Sequence, residues 1–314
     1  DWIWAKQRGG AHYHDLRDTN RGLTKRLVSA ISDGEGTKSA SYVSFDSNGF
    51  TLGDDQSGGS DANTVNSNSN NYVSWCWKAN GGTTSSNSDG SVTSTVQANT
   101  DAGFSIVTYT GTGSGNTIGH GLGTTPGWII AKVRSTTNNW GVWHQDLGGA
   151  NKYLKLNTTD STITATDVWN NTLPTSTVFS TGAAGTTNDS GATYVAYCFA
   201  EKKGYSKFGK FRGNANADGP FIYTGFKPSW LMIKNIGASG TGYHWYIWDN
   251  KRDTINVMDN TLHADEANAE NTFDQDIDFV SNGFKLRGSG VGMNPNSHDA
   301  IYFSFAEHPF VSSK

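Results

Sequence analysis

The chain has only two cysteines, Cys76 and Cys198, among 314 residues. That scarcity excludes a disulfide-stapled miniprotein and a cysteine-built metal cluster. Charge is also thin: 24 Lys plus Arg stand against 28 Asp plus Glu, a net charge of −4. No basic field exists to hold a phosphate backbone, so nucleic acid is not an expected partner. No run approaches the roughly 18 consecutive apolar residues that a membrane helix needs, and Asp1 to Lys6 lack the charged-then-apolar layout of a signal peptide. The chain reads as soluble, without a membrane partner, and Asp1 need not be the gene's own start. Helix signals are confined to Thr24–Ile31 and Ala264–Asn271.

What is abundant points to strands. There are 38 Gly, 11 Trp, 12 Tyr and 15 Phe. Gly, Asn, Ser and Thr supply turns, while Val, Ile, Thr and the aromatics suit a pleated, half-buried surface. An aromatic share of 12% is far above that of a disordered chain, so aromatic cores are expected.

Self-similarity runs at a period of about a hundred residues. Three repeats open on Trp2-Ile3-Trp4-Ala5-Lys6, Pro126-Gly127-Trp128-Ile129-Ile130-Ala131-Lys132 and Pro228-Ser229-Trp230-Leu231-Met232-Ile233-Lys234. A second aromatic strand is read at Tyr13-His14-Asp15, Val142-Trp143-His144 and Ile247-Trp248-Asp249. Each repeat closes alike, on Tyr72–Trp77, Tyr194–Glu201 and Ile301–Glu307. Repeats one and three also share Ser47-Asn48-Gly49-Phe50 and Ser281-Asn282-Gly283-Phe284. Asn-Gly between strand residues predicts a two-residue type I′ hairpin, because both central residues need positive φ. In repeat two the corresponding Val178–Gly182 is shorter.

Phe104–Gly111 and Phe221–Gly225 read as a further strand leading into repeats two and three. Repeat one lacks it, so its sandwich either misses an edge strand or receives one from elsewhere. The expected organisation is an all-β chain of tandem antiparallel β-sandwiches of jelly-roll type. The modules are 1–80 (incomplete at its N-terminus), 103–203 and 204–314, with 81–102 as a Gly/Ser/Thr/Asn-rich linker in which Ser91–Val96 reads as one short strand. The connection from Lys202 to Pro220, with Phe208 and Phe211, is expected to pack.

The string Tyr223–Lys234, the closing Phe305-Ala306-Glu307 and Gly121–Trp128 resemble a repeat module of structural proteins of tailed bacteriophages, marine and cyanophage types above all. The resemblance implies concanavalin-type lectin or glucanase sandwiches on a virion surface, in a tail fibre, appendage or decoration protein. It also implies other virion proteins and host surface polysaccharide as partners, and a homo-oligomer, a trimer by analogy with fibres. No coiled-coil heptads impose that state. The alternatives carried with it are a purely architectural spacer or capsid decoration, and a polysaccharide depolymerase.

Chemistry is sparse. His12 and His14, at i and i+2, could share a cation on one strand face, but that position aligns with aromatics in the other repeats. Asp54-Asp55 and Asp274–Asp278 could hold calcium, yet no twelve-residue calcium loop occurs; no metal or cofactor is expected. A glucanase would place Glu, Asp and Glu alternately along one strand; that signature is missing, as is a G-x-S-x-G elbow, so no catalytic residue is assigned. Gly111–Gly115 has no Lys-Ser/Thr ending and reads as a flexible connection. Cys76 and Cys198 fall at equivalent closing-strand positions and read as small core or half-buried residues. Trp169, in the variable stretch of repeat two, and His298 and Asp299, before the last strand, are the candidate carbohydrate contacts.

Overall fold

The structure is a computed structural model and describes residues 1–54, 65–273 and 275–309. It is all-β, 41% strand and 1% helix, with antiparallel sheets. Repeat one contains β1 (Trp2–Gln7), β2 (Asp15–Asp18), β3 (Lys25–Arg26), β4 (Gly36–Thr37), β5 (Tyr42–Asp46), β6 (Gly49–Leu52) and β7 (Tyr72–Trp77). Next come β8 (Ser85–Asn87), β9 (Ser94–Asn99), β10 (Phe104–Thr110), β11 (Asn116–Gly119), β12 (Trp128–Val133), β13 (Gly141–His144), β14 (Lys152–Lys155), β15 (Ile163–Thr164), β16 (Val178–Thr181), the single turn α1 (Gly185–Asn188) and β17 (Thr193–Phe199). Repeat three has β18 (Ser206–Arg212), β19 (Phe221–Tyr223), β20 (Pro228–Asn235), β21 (Trp245–Asp249), β22 (Leu262–His263), β23 (Ile277–Val280), β24 (Gly283–Leu286) and β25 (Asp299–Ala306).

Each repeat is built on its opening and closing strands, paired antiparallel: β1 with β7, β12 with β17, β20 with β25. The registers are equivalent, since Trp2 faces Trp77, Trp128 faces Phe199 and Trp230 faces Phe305. The opening runs are apolar without alternation because both faces of these strands are buried. One face of each, carrying Trp2 and Trp4, Trp128 and Ile130, or Trp230 and Met232, joins a single core common to all three repeats. The opposite face, Ile3 and Ala5, Ile129 and Ala131, or Leu231 and Ile233, lies in a separate outer core. Those outer cores are roofed by smaller sheets: β5-β6, β11-β16 and β19-β24-β23.

The common core has a pseudo-threefold axis. Trp77, Phe199 and Phe305, equivalent residues of the closing strands, form a triangle with ring centroids 6.2, 5.8 and 5.6 Å apart. Around it Trp2 stacks on Tyr197 at 4.3 Å and Trp128 on Phe199 at 4.4 Å. The inner sheets are therefore not strung out as separate bodies; each supplies one wall of the same interior.

Several expectations are corrected. The 81–102 stretch is more than a linker with one short strand: the strand read at Ser91–Val96 overlaps β9, and β8 and β9 together extend the sheet of repeat two to eight strands through β9–β10 pairing. The polar composition suits an edge whose outer face is wet. Neither Thr24–Ile31 nor Ala264–Asn271 is helical. The Asn-Gly hairpins are two-residue turns, but over Ser47-Asn48 and Ser281-Asn282, because Gly49 pairs with Asp46 and Gly283 with Val280. Those glycines are strand residues without positive φ. Repeat two has no such hairpin; β16 pairs with β11 instead. The leading strand that pairs with the closing strand is β10 in repeat two and β18 in repeat three, so Phe221–Tyr223 corresponds to β11 rather than to β10. The Lys202–Pro220 connection does pack, with Phe208 wholly buried.

A shared core makes unfolding one event. A single cooperative calorimetric transition is expected, and Phe199→Ala should cost about 3–5 kcal/mol while lowering that whole transition. Three separable transitions, only one of them moved by the substitution, would refute a common interior.

Candidate functional site

The recurring polar chemistry lies in the joints between repeats, and it runs cyclically. Lys6, Lys132 and Lys234, each at the end of its opening strand, are fully buried. Lys132 Nζ donates to Val133 O and Asn138 O in its own loop and crosses to Ser32 O of repeat one, at 2.9–3.0 Å. Lys234 Nζ donates to Tyr243 O at 2.6 Å and crosses to Thr159 O of repeat two at 3.2 Å. Lys6 Nζ donates to Gln7 O and Gly10 O. Burial pulls all three ammonium groups down to about 8, against acids that push the other way, Glu270 foremost for Lys6.

A second ring of contacts has the same sense. Trp140 Nε1 donates to Val28 O and Trp245 Nε1 to Lys155 O, at 2.9 and 3.0 Å. At the equivalent place His14 Nε2 meets His263 O at 2.9 Å, while His14 Nδ1 accepts from Trp4 Nε1. Backbone bonds close each joint: Glu35 N to Arg134 O, Glu270 N to Arg8 O, and Thr162 N to Ile236 O.

Two joints carry a buried arginine–carboxylate network, and at the third the equivalent positions do not. Between repeats one and two, Arg21 holds Asp18 and Glu35, Arg134 grips Glu35 in a fork at 2.8 and 3.1 Å, and Tyr197 Oη donates to Asp18. Between repeats three and one the same parts recur: Arg252 holds Asp249 and Glu270, Arg8 forks Glu270, and Trp75 Nε1 donates to Asp249. At the joint of repeats two and three the corresponding residues are His144, Leu147, Thr162 and Ile236, and the ring edge of His144 meets Phe303 at 5.0 Å. Burial pushes His144 down to about 3, so it sits there as a neutral ring.

Two concavities border repeat one. A groove of about 620 Å³ runs between the β5-β6 turn and the end of β7, lined by Phe45, Gly49, Phe50, Cys76 and Trp77. A second, of about 350 Å³, flanks β7 on the side of repeat three, against Tyr205 and Trp230. Their carboxylates are engaged. Asp1 accepts from Ala79 N and Gly81 N, Asp46 from Ser44 and Thr51, Asp249 from Arg252, and Glu307 from Asn250 while pairing with Lys227.

Among the described residues one group could hold a metal ion: His244, His263 and Glu266, whose ligand atoms all lie within 4.8 Å of one another. The two imidazoles stack with centroids 4.4 Å apart. Each Nδ1 already faces a carboxylate, His244 that of Asp265 at 2.8 Å and His263 that of Glu266. Burial lowers the pKa of His244, but Asp265 more than offsets it and the net shift is upward. Hydrogen bonds to Asp265 and Glu266 account for this cluster.

The residues singled out in the sequence are not brought together. Trp169 is only 2% exposed and packs on Phe179 in the outer core of repeat two, so its indole is not offered to a sugar. His298 is exposed, and Asp299 beside it pairs with Lys210 and Arg212. His12 and His14 do not share a face, because β2 begins only at Asp15. Strand register aligns His14 with Trp140 and Trp245, three residues away from the alignment read in the sequence. Asp55 and Asp274 lie outside the described residues, and Asp278 pairs with Arg287. The buried lysines stood in plain view as the repeated Lys6, Lys132 and Lys234, a signal that could have found the joints.

Fold and joints together define the class: an all-β protein of three repeats closed on one core. The chain belongs to the family described as a domain of unknown function (DUF7483), which it matches over residues 1–309. No curated protein and no solved structure matches it.

Two outcomes test the joints. Each lysine releases its proton near pH 8 when folded and near 10.5 when unfolded. Between those values the unfolded state binds more protons, so stability rises with pH. The stability of wild type relative to Lys132→Met should rise by about 1–2 kcal/mol from pH 7 to 9.5 in denaturant titrations; a flat difference would sink the assignment. Arg21→Leu alone leaves the buried Asp18 carboxylate without its cation, while Arg134 still grips Glu35, and should cost about 3–5 kcal/mol. Adding Asp18→His, Glu35→Thr and Arg134→Ile, the residues of the apolar joint, should recover most of that loss in the same titrations.

Proposed function

We propose that this chain is a non-enzymatic, architectural component of a tailed-phage virion surface, a tail-fibre, appendage or decoration module that meets its partners through protein surfaces. The observation that carries the reading is the use of its buried charge. Asp15, Asp18, Asp249 and Glu270 all face arginines within the fold or its joints. Glycoside hydrolysis needs two carboxylates free to flank a sugar bond, and the carboxylates of both grooves on repeat one are committed to neighbours. The repeated module supports the phage setting by resemblance, and the buried layer between inner and outer sheets supports reading each repeat as a concanavalin-like or jelly-roll sandwich. Burial of Trp169 argues against the sugar-binding version of the same role.

The test is to challenge phage particles from the source with antibody to the purified protein, and to incubate the protein with host cells and their surface polysaccharide. Label on intact particles with neither saturable glycan binding nor new reducing ends is expected. Reducing ends abolished by one carboxylate substitution would make the chain a depolymerase; saturable binding without them would make it an adhesin.

A further inference from the structure

The register of the repeats isolates one cluster that the framework does not require. Tyr246 faces His263 across β21 and β22 as Gly141 faces Lys155 across β13 and β14. Beyond those strands, Trp245 N donates to Asp265 Oδ1 at 2.8 Å as Trp140 N donates to Asn157 Oδ1 at 3.0 Å. His244, His263, Asp265 and Glu266 therefore stand where repeat two has Asn139, Lys155, Asn157 and Thr158. The same count on repeat one, from the β2 register and the bridge between Leu16 and Leu27, gives Tyr13, Val28, Ala30 and Ile31. Repeat two meets the local hydrogen-bonding need without charge, since Asn157 Nδ2 donates to Asn139 Oδ1 at 2.8 Å. Hydrogen bonds hold the four side chains of repeat three in place; they do not explain why imidazoles and carboxylates are gathered in this repeat and not in the others.

The gathered atoms converge on one point. Both Nδ1 atoms face the Glu266 carboxylate, that of His263 in contact with Oε1 and that of His244 3.9 Å from Oε2. The two rings lie nearly parallel, their planes 12° apart. The ligand atoms of His244, His263 and Glu266 lie within 4.8 Å of one another, whereas donors bound to one tetrahedral ion stand roughly 3.4 Å apart, a gap that side-chain rotation closes. Depth suits an ion that enters from water: the side chains of His263 and Asp265 are 9% and 2% exposed, while His244 and Glu266, at 19% and 23%, leave a path from solvent. Hydrogen bonding also leaves His263 half used, for its buried Nε2 has no partner among the described residues.

We propose that His244, His263 and Glu266 form a binding site for one divalent transition ion of the zinc type, with the Asp265 carboxylate beside His244 completing four ligands. Two imidazoles with carboxylates suit such ions, whereas calcium and magnesium take oxygen ligands. Each imidazole then keeps its proton on Nε2, and the carboxylates that accepted from Nδ1 turn to the ion. The location gives the ion a task. His263 O meets His14 Nε2, Ala264 O accepts from Ser29 Oγ at 2.6 Å, and Glu270 N donates to Arg8 O, so the turn after β22 carries the joint of repeats three and one. An ion tying that turn to the start of β21 stiffens this joint. The inference rests on the repeat register and stands whether or not the virion reading holds.

The probe is Zn2+ alone, added to the untagged full chain after treatment with a chelator. One ion per chain should bind, raise Tm by about 3 °C or more, and slow amide exchange chiefly over residues 244–266 and at the Ser29 contact. X-ray absorption at the zinc edge should show about four nitrogen and oxygen neighbours at about 2.0–2.1 Å, with imidazole among them. His244→Asn and Glu266→Thr, which install the residues of repeat two, should fold without metal and each bind Zn2+ roughly tenfold or more weakly. His308→Ala, which removes an exposed imidazole elsewhere, should bind as wild type does. The proposal is overturned if saturating Zn2+ moves neither Tm nor exchange, or if the zinc neighbours include no imidazole. It is also overturned if either of the first two variants binds Zn2+ as tightly as wild type, if His308→Ala abolishes binding, or if equimolar Ca2+ displaces the ion.

Discussion

Everything in this molecule depends on three rings meeting on an axis. Trp77, Phe199 and Phe305 come from closing strands more than a hundred residues apart in sequence, and their contact brings the inner faces of three sheets into one interior. Large aromatics suit the task. They bury much area per residue and tolerate stacked and edge-on geometries, so three walls that are not quite identical can still close. Trp2 and Trp128 stack against Tyr197 and Phe199, whereas Trp230 meets Trp77 edge-on at 5.6 Å.

Closing three sheets around an apolar axis leaves a difficulty at their far ends, where the loop after each opening strand must turn away without abandoning its carbonyls in a dry interior. The lysines resolve it. Each ammonium is a compact set of donors on a long stem, and carbonyls of its own loop gather around it, with one from the neighbouring repeat at Lys132 and Lys234. The cost is the desolvation that drags each pKa down; the return is a loop and a joint ordered by one side chain. Buried charge of this sort adds little net stability over well-packed apolar residues, and the joint built on His144, Leu147, Thr162 and Ile236 is a native instance of that exchange.

The all-β class, the threefold repeat and the opening and closing strands were legible because apolar runs such as Trp128–Ala131 and Tyr194–Phe199 carry their own period and composition. The common interior was not. Inward and outward faces of a strand buried on both sides look alike in sequence, so Trp2, Trp128 and Trp230 read as three cores rather than one. Register misled in the second strand, where aligning His14 with Trp143 instead of Trp140 hid the ring of cross-repeat bonds. Composition misled at Ser85–Asn99, polar enough for a linker yet paired as two strands. Trp169 looked like a contact residue because its stretch varies between repeats, yet the indole points inward and packs on Phe179.

The cyclic order of the joints carries one more consequence. Subunits of a symmetric ring must make the same interface at every boundary, because one gene writes them all. Here the three wedges share a single chain, and that constraint is lifted: each boundary can mutate alone. The ionic and apolar joints show the divergence already under way, and the loops that differ most between repeats sit on a ring whose three sectors are free to acquire three different neighbours.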